Sequence, residues 1–474
     1  MVSYVDVSMK LLLIFAGVLP AYTCQAADSF DTKLSDAVIA VLSQPNPYHA
    51  GRARELQLSL RDQMKSREAE DKPTVYLTHK KFQGKTGMWT VFPLLEKLKS
   101  DPKVSKWIFI CEEETRIDLD KFEKFIQQYD PAKEWFIGHA LKDKESTIIH
   151  HFSPPEKLTF PDFAAGFLLS VPLLKNMLSR WPDDENFRAD FSIDPKHELA
   201  SYILMDDVKL TDAPELCLSD RGDNCVTYVA QTFPSCGEPI NDDDLFIAVK
   251  TCEQFHTERV PVVLDTWAKE SKNIEFYSET VDDSIPTIDL GVPNTERGHC
   301  GKTAALFKRA VTNENIKNKK WLLVADDDTI INIERLKRLL ACYDPTGLIA
   351  IGERYGYRSA LGDGYDYITG GGGMLFSMPM VEKLVEGCKC PQDDSPDDMI
   401  IGMCLKRFNI PITHVPYLHQ ARPDDYSEGY LSRQIPVSFH KHWNNDPRAV
   451  YRLLKSYDKQ EQEGSVQTDK HTEL

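Results

Sequence analysis

The stretch WLLVADDDTI, Trp321 to Ile330, closes an apolar run with three consecutive aspartates, and the first half of the chain holds a near-twin, WIFICEEETRI, from Trp107 to Ile117. Internal similarity outranks any single motif as a guide to architecture. With Trp107 set over Trp321, Glu112 to Glu114 fall over Asp326 to Asp328, and the text downstream stays in step. IDLDKFEKFIQQYDPAKEWFIG (Ile117 to Gly138) lies over INIERLKRLLACYDPTGLIAIG (Ile331 to Gly352). FAAGFLLSVPLLKNML from Phe163 lies over GGGGMLFSMPMVEKLV from Gly370, and HELASYIL from His197 over DMIIGMCL from Asp398. Four blocks in one order mark a duplication. In each copy an apolar residue recurs every three or four positions after the acidic triplet, then a turn and a short apolar run follow, which predicts alternating helices and strands. Such alternation implies an α/β fold with layers over a largely parallel sheet.

The second copy carries the chemistry. An apolar strand ending in Asp326, Asp327 and Asp328 puts carboxylates at the C-terminal edge of a sheet, where open α/β folds bind ligands. Alternate residues of an extended strand point the same way, so Asp326 and Asp328 can converge on one hard cation such as Mn2+ or Mg2+. The run Gly370 to Gly373 follows strand-like DYIT and precedes an apolar, helix-forming segment; glycines there let backbone approach a ligand closely. SPDDMIIG places Asp397 and Asp398 at a helix start, where they either complement the helix dipole or supply a general base. PVSFHKHW offers His440 and His442, either able to complete a metal site. Together these features point to a glycosyltransferase that uses a sugar nucleotide.

Composition sets the outer limits. The chain has 474 residues, enough for two or three domains, with 42% hydrophobic and 27% charged residues, as in a globular protein. A net charge of -17 argues against a nucleic-acid surface. Lys10, the run LLLIFAGVLPAY and small residues at Ala26 and Ala27 read as a cleaved signal peptide. Pro20 and the polar flank arrive too early for a membrane span, and no later stretch is apolar enough. The last four residues, His471 to Leu474, read as an address for the endoplasmic-reticulum retrieval receptor. Apart from Cys24 in the signal there are ten cysteines, an even number that predicts several disulfides in an oxidising compartment. No N-x-S/T sequon is present.

LFIAVKTCEQFHTERVPVVLDTW (Leu245 to Trp267), WLLVADDDTIIN, ITGGGGMLFS and SPDDMIIGMCL resemble, in order, the motifs of fringe-type inverting β-1,3-glycosyltransferases. VSFHKHW is similar to the core-1 galactosyltransferase version of that family's metal histidine. The degenerate first copy and the retrieval tail bring the chain nearest to the branch that adds glucose to O-linked fucose on thrombospondin type 1 repeats. The resemblance implies two tandem GT-A-like, Rossmann-like domains, UDP-glucose as donor, Mn2+ (Mg2+ possible) as cofactor, and folded fucosylated repeat proteins as partners. It implies Asp398 as base, with Asp397 its rival, and Asp328 and His440 as metal ligands. Thr251, Arg259, Asp326, Asp327, Gly371, Gly372 and Gly373 are then donor-binding. The motifs leave the donor sugar open to galactose or GlcNAc, and a non-enzymatic lectin or folding factor is the rival outside enzymes.

The expected layout is a signal peptide at 1–26, a degenerate, non-catalytic glycosyltransferase-like domain at 28–212, and a linker at 213–244. A catalytic domain follows at 245–456, then a polar tail at 457–474. The first copy is expected to have lost transfer chemistry. Its triplet is Glu112 to Glu114, its glycine run has become Phe163-Ala164-Ala165-Gly166, His197 stands opposite Asp398, and His440 has no visible counterpart.

Overall fold

A computed structural model describes residues 29–154, 157–183, 187–219, 222–229 and 233–469; the signal-peptide and retrieval readings lie outside them. It contains two mixed, mostly parallel sheets. In the first copy the strand order is Thr211–Asp212, Phe136–Gly138, Phe167–Ser170, Trp107–Glu112, Ala37–Leu42, Thr74–Leu77. In the second it is Thr413–His414, Ala350–Gly352, Met374–Ser377, Trp321–Asp326, Leu245–Lys250, Ile274–Ser278, with Thr287–Asp289 added at the edge. The two orders superimpose strand for strand.

Each central strand is apolar throughout because both faces are buried. Along Trp321–Asp326, Trp321, Leu323 and Ala325 enter one core while Leu322 and Val324 enter the other. Ala37–Leu42 divides the same way: Val38 and Ala40 face one cluster, Ala37, Ile39 and Val41 the other. The helices after the triplets, Leu119–Ile126 and Ile333–Leu340, start at side-chain caps, Asp118 accepting from Lys121 N (3.1 Å) and Asn332 from Arg335 N (3.0 Å). Caps of this kind satisfy backbone donors that no helical carbonyl can reach.

Two expectations need correction. The residues after Gly373 do not begin a helix: Met374–Ser377 is a buried strand antiparallel to Trp321–Asp326, Trp321 opposite Ser377, and the helix starts at Met378. Phe167–Ser170 does the same against Trp107–Glu112. Each sheet thus has an antiparallel strand at its centre. An unbroken apolar run reads alike in a buried strand and a buried helix, so only tertiary pairing separates them.

The segment from Ala213 to Asp244 is shared out between the copies. Ala213, Leu216 and Val226 pack in the first core, and Thr227–Val229 pairs with Thr115–Ile117. Phe233 packs in the second core, and Cys236 is bonded to Cys342. Among the described residues four disulfides form, the others being Cys217–Cys225, Cys300–Cys390 and Cys388–Cys404, while Cys111 and Cys252 are buried thiols. Bonds of this number belong in an oxidising compartment. The helix Pro447–Asp469 takes up Tyr457 and the residues after it, and Asp458 pairs with the buried Arg335. No helix of the described residues is long and apolar enough to cross a membrane.

The copies are tightly joined. Phe191–Ser192 of the first adds an antiparallel strand to the hairpin Arg354–Tyr357/Tyr365–Ile368 of the second. Trp89 Nε1 donates to Asp366 Oδ1 (3.0 Å), and Arg433 Nε donates to the fully buried Asp162 (2.7 Å). A Cβ on Gly87, whose φ is +75°, would sit 1.8 Å from the carbonyl oxygen of Ser359, so only glycine permits this approach.

Candidate active site

Asp326 ends its strand, Asp327 and Asp328 form a turn, and Thr329–Ile331 leaves as a second short strand. The two outer carboxylates therefore converge through a tight turn, and the alternation of one extended strand is not the cause. Asp326 N donates to Thr329 Oγ1 (3.1 Å), which holds the turn closed. Ser438–His440 pairs with Thr329–Ile331, His440 opposite Thr329, and this delivers the imidazole from a hundred residues downstream. Ligand atoms of Asp326, Asp328 and His440 all lie within 4.8 Å of one another. His442 stands outside this group.

The donor set fits a divalent cation. His440 Nδ1 lies 2.9 Å from the Gln420 carbonyl, which can only accept, so Nδ1 carries the proton. Nε2 lies 2.9 Å from Asp328 Oδ1: protonated it donates to that carboxylate, and neutral it offers a lone pair with which the carboxylate can share a cation. Two carboxylates and an imidazole suit Mn2+, and the hydrogen bond behind the ring fixes its orientation. Gln420 does more, since its Oε1 accepts from Gly371 N (2.8 Å) and Gly372 N (3.2 Å).

The glycine run is required by the protein itself. A Cβ on Gly371 would lie 2.1 Å from His440 Nδ1, and Gly373 adopts φ +99°. Gly371→Ala is therefore expected to displace the imidazole and weaken Mn2+ binding by about 10–100-fold, the range for disturbed ligand orientation. Titrating Mn2+ against the purified protein by electron paramagnetic resonance checks this; unchanged affinity would remove His440 from the ligand set.

Asp327 turns away from the cluster. Its carboxylate accepts from Thr251 Oγ1 (2.7 Å) and Arg259 (3.0 Å), and burial pushes it up to about 6. Arg259 also reaches Asp328 Oδ2 (2.9 Å) and stacks over Phe255. Burial would raise Asp328, but His440 and Arg259 outweigh it and hold the carboxyl well below its usual range. Thr251, just past the neighbouring strand, and Arg259, at the cap of the helix Val260–Asp265, thus brace the acidic turn.

The pair at the helix start Asp397–Phe408 splits sharply. Asp397 is buried, accepting from Lys250 Nζ (2.7 Å) and Thr303 Oγ1 (2.6 Å). Burial alone would raise it, yet Lys250 and Thr303 keep it lowered, so this carboxylate is fully engaged. Asp398 is half-buried; its Oδ1 accepts from Met399 N (2.7 Å), and among the described residues no cation is paired with it. Burial and the neighbouring Asp397 push it up to about 6, the property a general base needs near neutral pH. The same Lys250 lies 3.2 Å from Asp326, so one buried ammonium ties the metal-side strand to the base-bearing helix. Lys250, Gln420 and Thr303 escaped the sequence reading. A lysine closing the otherwise apolar LFIAVK was the one visible signal.

The first copy keeps the frame and changes the contents. Gly166 retains the positive φ of Gly373, at +88°, and Thr115 Oγ1 bonds the Ala164 carbonyl as Thr329 does that of Gly371. His440 does have a counterpart by strand pairing: it is Val229, opposite Thr115. Without the imidazole, Ala164 fits where glycine was needed. By register Leu42 replaces Lys250, and Lys196 stands at the position of Asp397, so one charge is lost and the other reversed. His197, at the base position, stacks on His150 (4.0 Å between ring centres), and burial lowers it to about 4.

Residues 240–466 match the model of a family described as fringe-like. The chain is 46% identical over 428 residues to a β-1,3-glucosyltransferase of Mus musculus, covering 89% of this chain and 86% of the relative. It is 47% identical over 428 residues to a β-1,3-glucosyltransferase of Homo sapiens, covering 89% and 85%. A β-1,3-N-acetylglucosaminyltransferase lunatic fringe of Gallus gallus is 28% identical over 232 residues, 43% of this chain and 62% of that one. The glucosyltransferases thus match both copies, whereas the fringe protein matches over less than half the chain.

Proposed function

The chain belongs to the fringe-like family of hexosyltransferases, with β-1,3-glucosyltransferases as relatives along nearly its full length, and from that premise we propose that it transfers glucose from UDP-glucose to the 3-hydroxyl of O-linked fucose on thrombospondin type 1 repeats. One observation carries the reading: a cation-binding group, Asp326, Asp328 and His440, stands across Lys250 from a carboxyl, Asp398, that is left free to take a proton.

The reaction is a single displacement. Asp398 accepts the proton of the acceptor hydroxyl as its oxygen bonds the anomeric carbon. The bond to the phosphate oxygen breaks on the opposite face, its electron pair leaves with UDP, and the configuration inverts. Asp328 and His440, with Asp326 beside them, would hold Mn2+ or Mg2+, which neutralises the departing diphosphate. Gly371 to Gly373 bring backbone close to the donor, Arg259 and Thr251 fix the turn through Asp327, and Lys250 keeps Asp397 ionised and in place. Glucose transfer to a fucosylated repeat by the purified full chain with Mn2+ tests the assignment. Transfer of galactose or GlcNAc instead would change the donor, and no turnover with any UDP-sugar would remove the activity.

In this reading the first copy, 28–212, performs no transfer. Val229, Ala164 with Ala165, and His197 stand at the ligand, donor and base positions. Glu114→Ala is expected to leave kcat on a small fucoside within about twofold of wild type, since it touches no transition-state contact. A loss as large as that from Asp328→Ala would make the first copy catalytic. Retrieval through His471 to Leu474 would keep the protein in the lumen of the endoplasmic reticulum, an oxidising compartment that suits the disulfides.

A further inference from the structure

The first copy's sheet edge, where the other copy gathers its cation ligands, opens into a cavity of about 550 Å³. It is closed from the far side by the second copy: by Arg354 and Tyr355 of the inter-copy sheet, and by the end of the Asp397–Phe408 helix. This volume falls within the range of small-ligand pockets. Duplication therefore left the chain with two clefts, and the second has been relined.

The new lining differs from that of the cleft in the second copy. Six carboxyl side chains border the cavity against three lysines and one arginine. Lys196 is already paired with Asp194 (2.9 Å), and Lys406 bonds the carbonyl oxygen of Asp363 (2.9 Å). Burial raises Glu112, Glu113 and Glu353, so the lining carries little net charge with which to hold a diphosphate, and Val229 stands where the other copy has its histidine. Phe163 fills the place where Gly370 leaves room.

What the lining favours is a neutral, hydroxyl-rich ring. Glu113, 4% exposed, and the half-buried Arg354 border it; Glu113 Oε1 meets His49, while Glu113 Oε2 and Arg354 Nε are closed off from solvent and lack partners among the described residues. The Arg354 guanidinium lies over Trp89, 4.4 Å from the ring centre, and Trp89, Tyr355 and Tyr365 put aromatic surface beside these polar atoms. Sugar hydroxyls donate and accept at once, and the C–H face of a hexose covers an aromatic ring. Burial also raises Glu112 to about 7, which lets that carboxyl donate as well as accept.

We propose that the cavity between the two copies is a saccharide-binding site, separate from the transfer centre, that takes a neutral mono- or disaccharide. Glu113 and Arg354 bond its hydroxyls, and Trp89 borders its ring. The site uses neither Asp328 nor Asp398, so it stands or falls apart from the transfer reaction.

Two measurements test it on the full chain. Saturation-transfer NMR with methyl β-glucoside and methyl α-fucoside should show binding that persists in Asp398→Asn and weakens at least tenfold in Arg354→Met and in Glu113→Gln. The p-nitrophenyl glycosides form a second arm: binding of both series means that the reducing end has an exit, as a protein-borne sugar needs, and binding of the methyl series alone means a free sugar. The other measurement needs no variant. A diazirine-bearing glucoside photolabels the wild-type protein, and peptide mass mapping should find the label within 83–89 or 353–357. Label confined to peptides bearing 326–331 or 397–403 would overturn the proposal, as would binding lost in Asp398→Asn and kept in Arg354→Met. Absence of both binding and label would mean that the cavity holds solvent alone.

Discussion

Asp328→Ala is expected to lower transfer by about three orders of magnitude or more, with the fold unchanged. The scale follows from removing a preorganised charge at the point where the leaving group develops its own. Asp328 is the most constrained carboxylate of the triplet: one oxygen faces His440 at 2.9 Å and the other meets Arg259 at 2.9 Å. Its loss would take away a cation ligand and also free Arg259 from half of its anchorage. Activity and Mn2+ titration, run side by side, separate these effects. A variant that binds Mn2+ normally and still fails to transfer would assign Asp328 to positioning alone.

Asp398→Asn is expected to lower kcat by about 10²–10⁴-fold, the usual contribution of a positioned base, with KM for the donor nearly constant. The pH profile gives the sign. A base works unprotonated, and burial pushes Asp398 up to about 6, so wild-type activity should rise with pH through about 6 and level off above it. The asparagine variant should lose that acid limb. An acid limb that survives in the variant would place the base elsewhere. Asp397→Asn should behave differently, because it strips Lys250 of its nearer partner. Breaking a buried pair from one side costs about 3–5 kcal/mol, so a falling melting temperature, and not a changed pH limb, is its expected signature.

Much of this was legible in the chain. The duplication, the acidic turn, the glycine run and the acidic pair are local features, each carried by consecutive residues whose types state their purpose. What stayed hidden depends on pairing across long separations. Lys250 and Asp397 meet at 2.7 Å from positions 147 residues apart, and neither is informative alone. Val229 could not be matched to His440 because its strand, Thr227–Val229, is three residues long within a stretch whose prolines, glycine and cysteines read as linker. The central antiparallel strands were misread for the opposite reason: Met374–Ser377 is so fully buried that its pattern shows no period. The convergence of Asp326 and Asp328 was expected for the wrong cause, since a turn supplies what alternation was thought to give.

The strand Phe191–Ser192 that the first copy lends to the hairpin of the second has one more consequence. A fragment beginning near residue 240 would carry every transfer residue named above, yet Arg354–Tyr357 would be left with its outer backbone groups bare. Open edges of that kind recruit other chains. The first copy thus seals an adhesive border, and a fragment lacking it should self-associate before its activity can be judged. Selection for solubility alone would then preserve the first copy, whatever its chemistry.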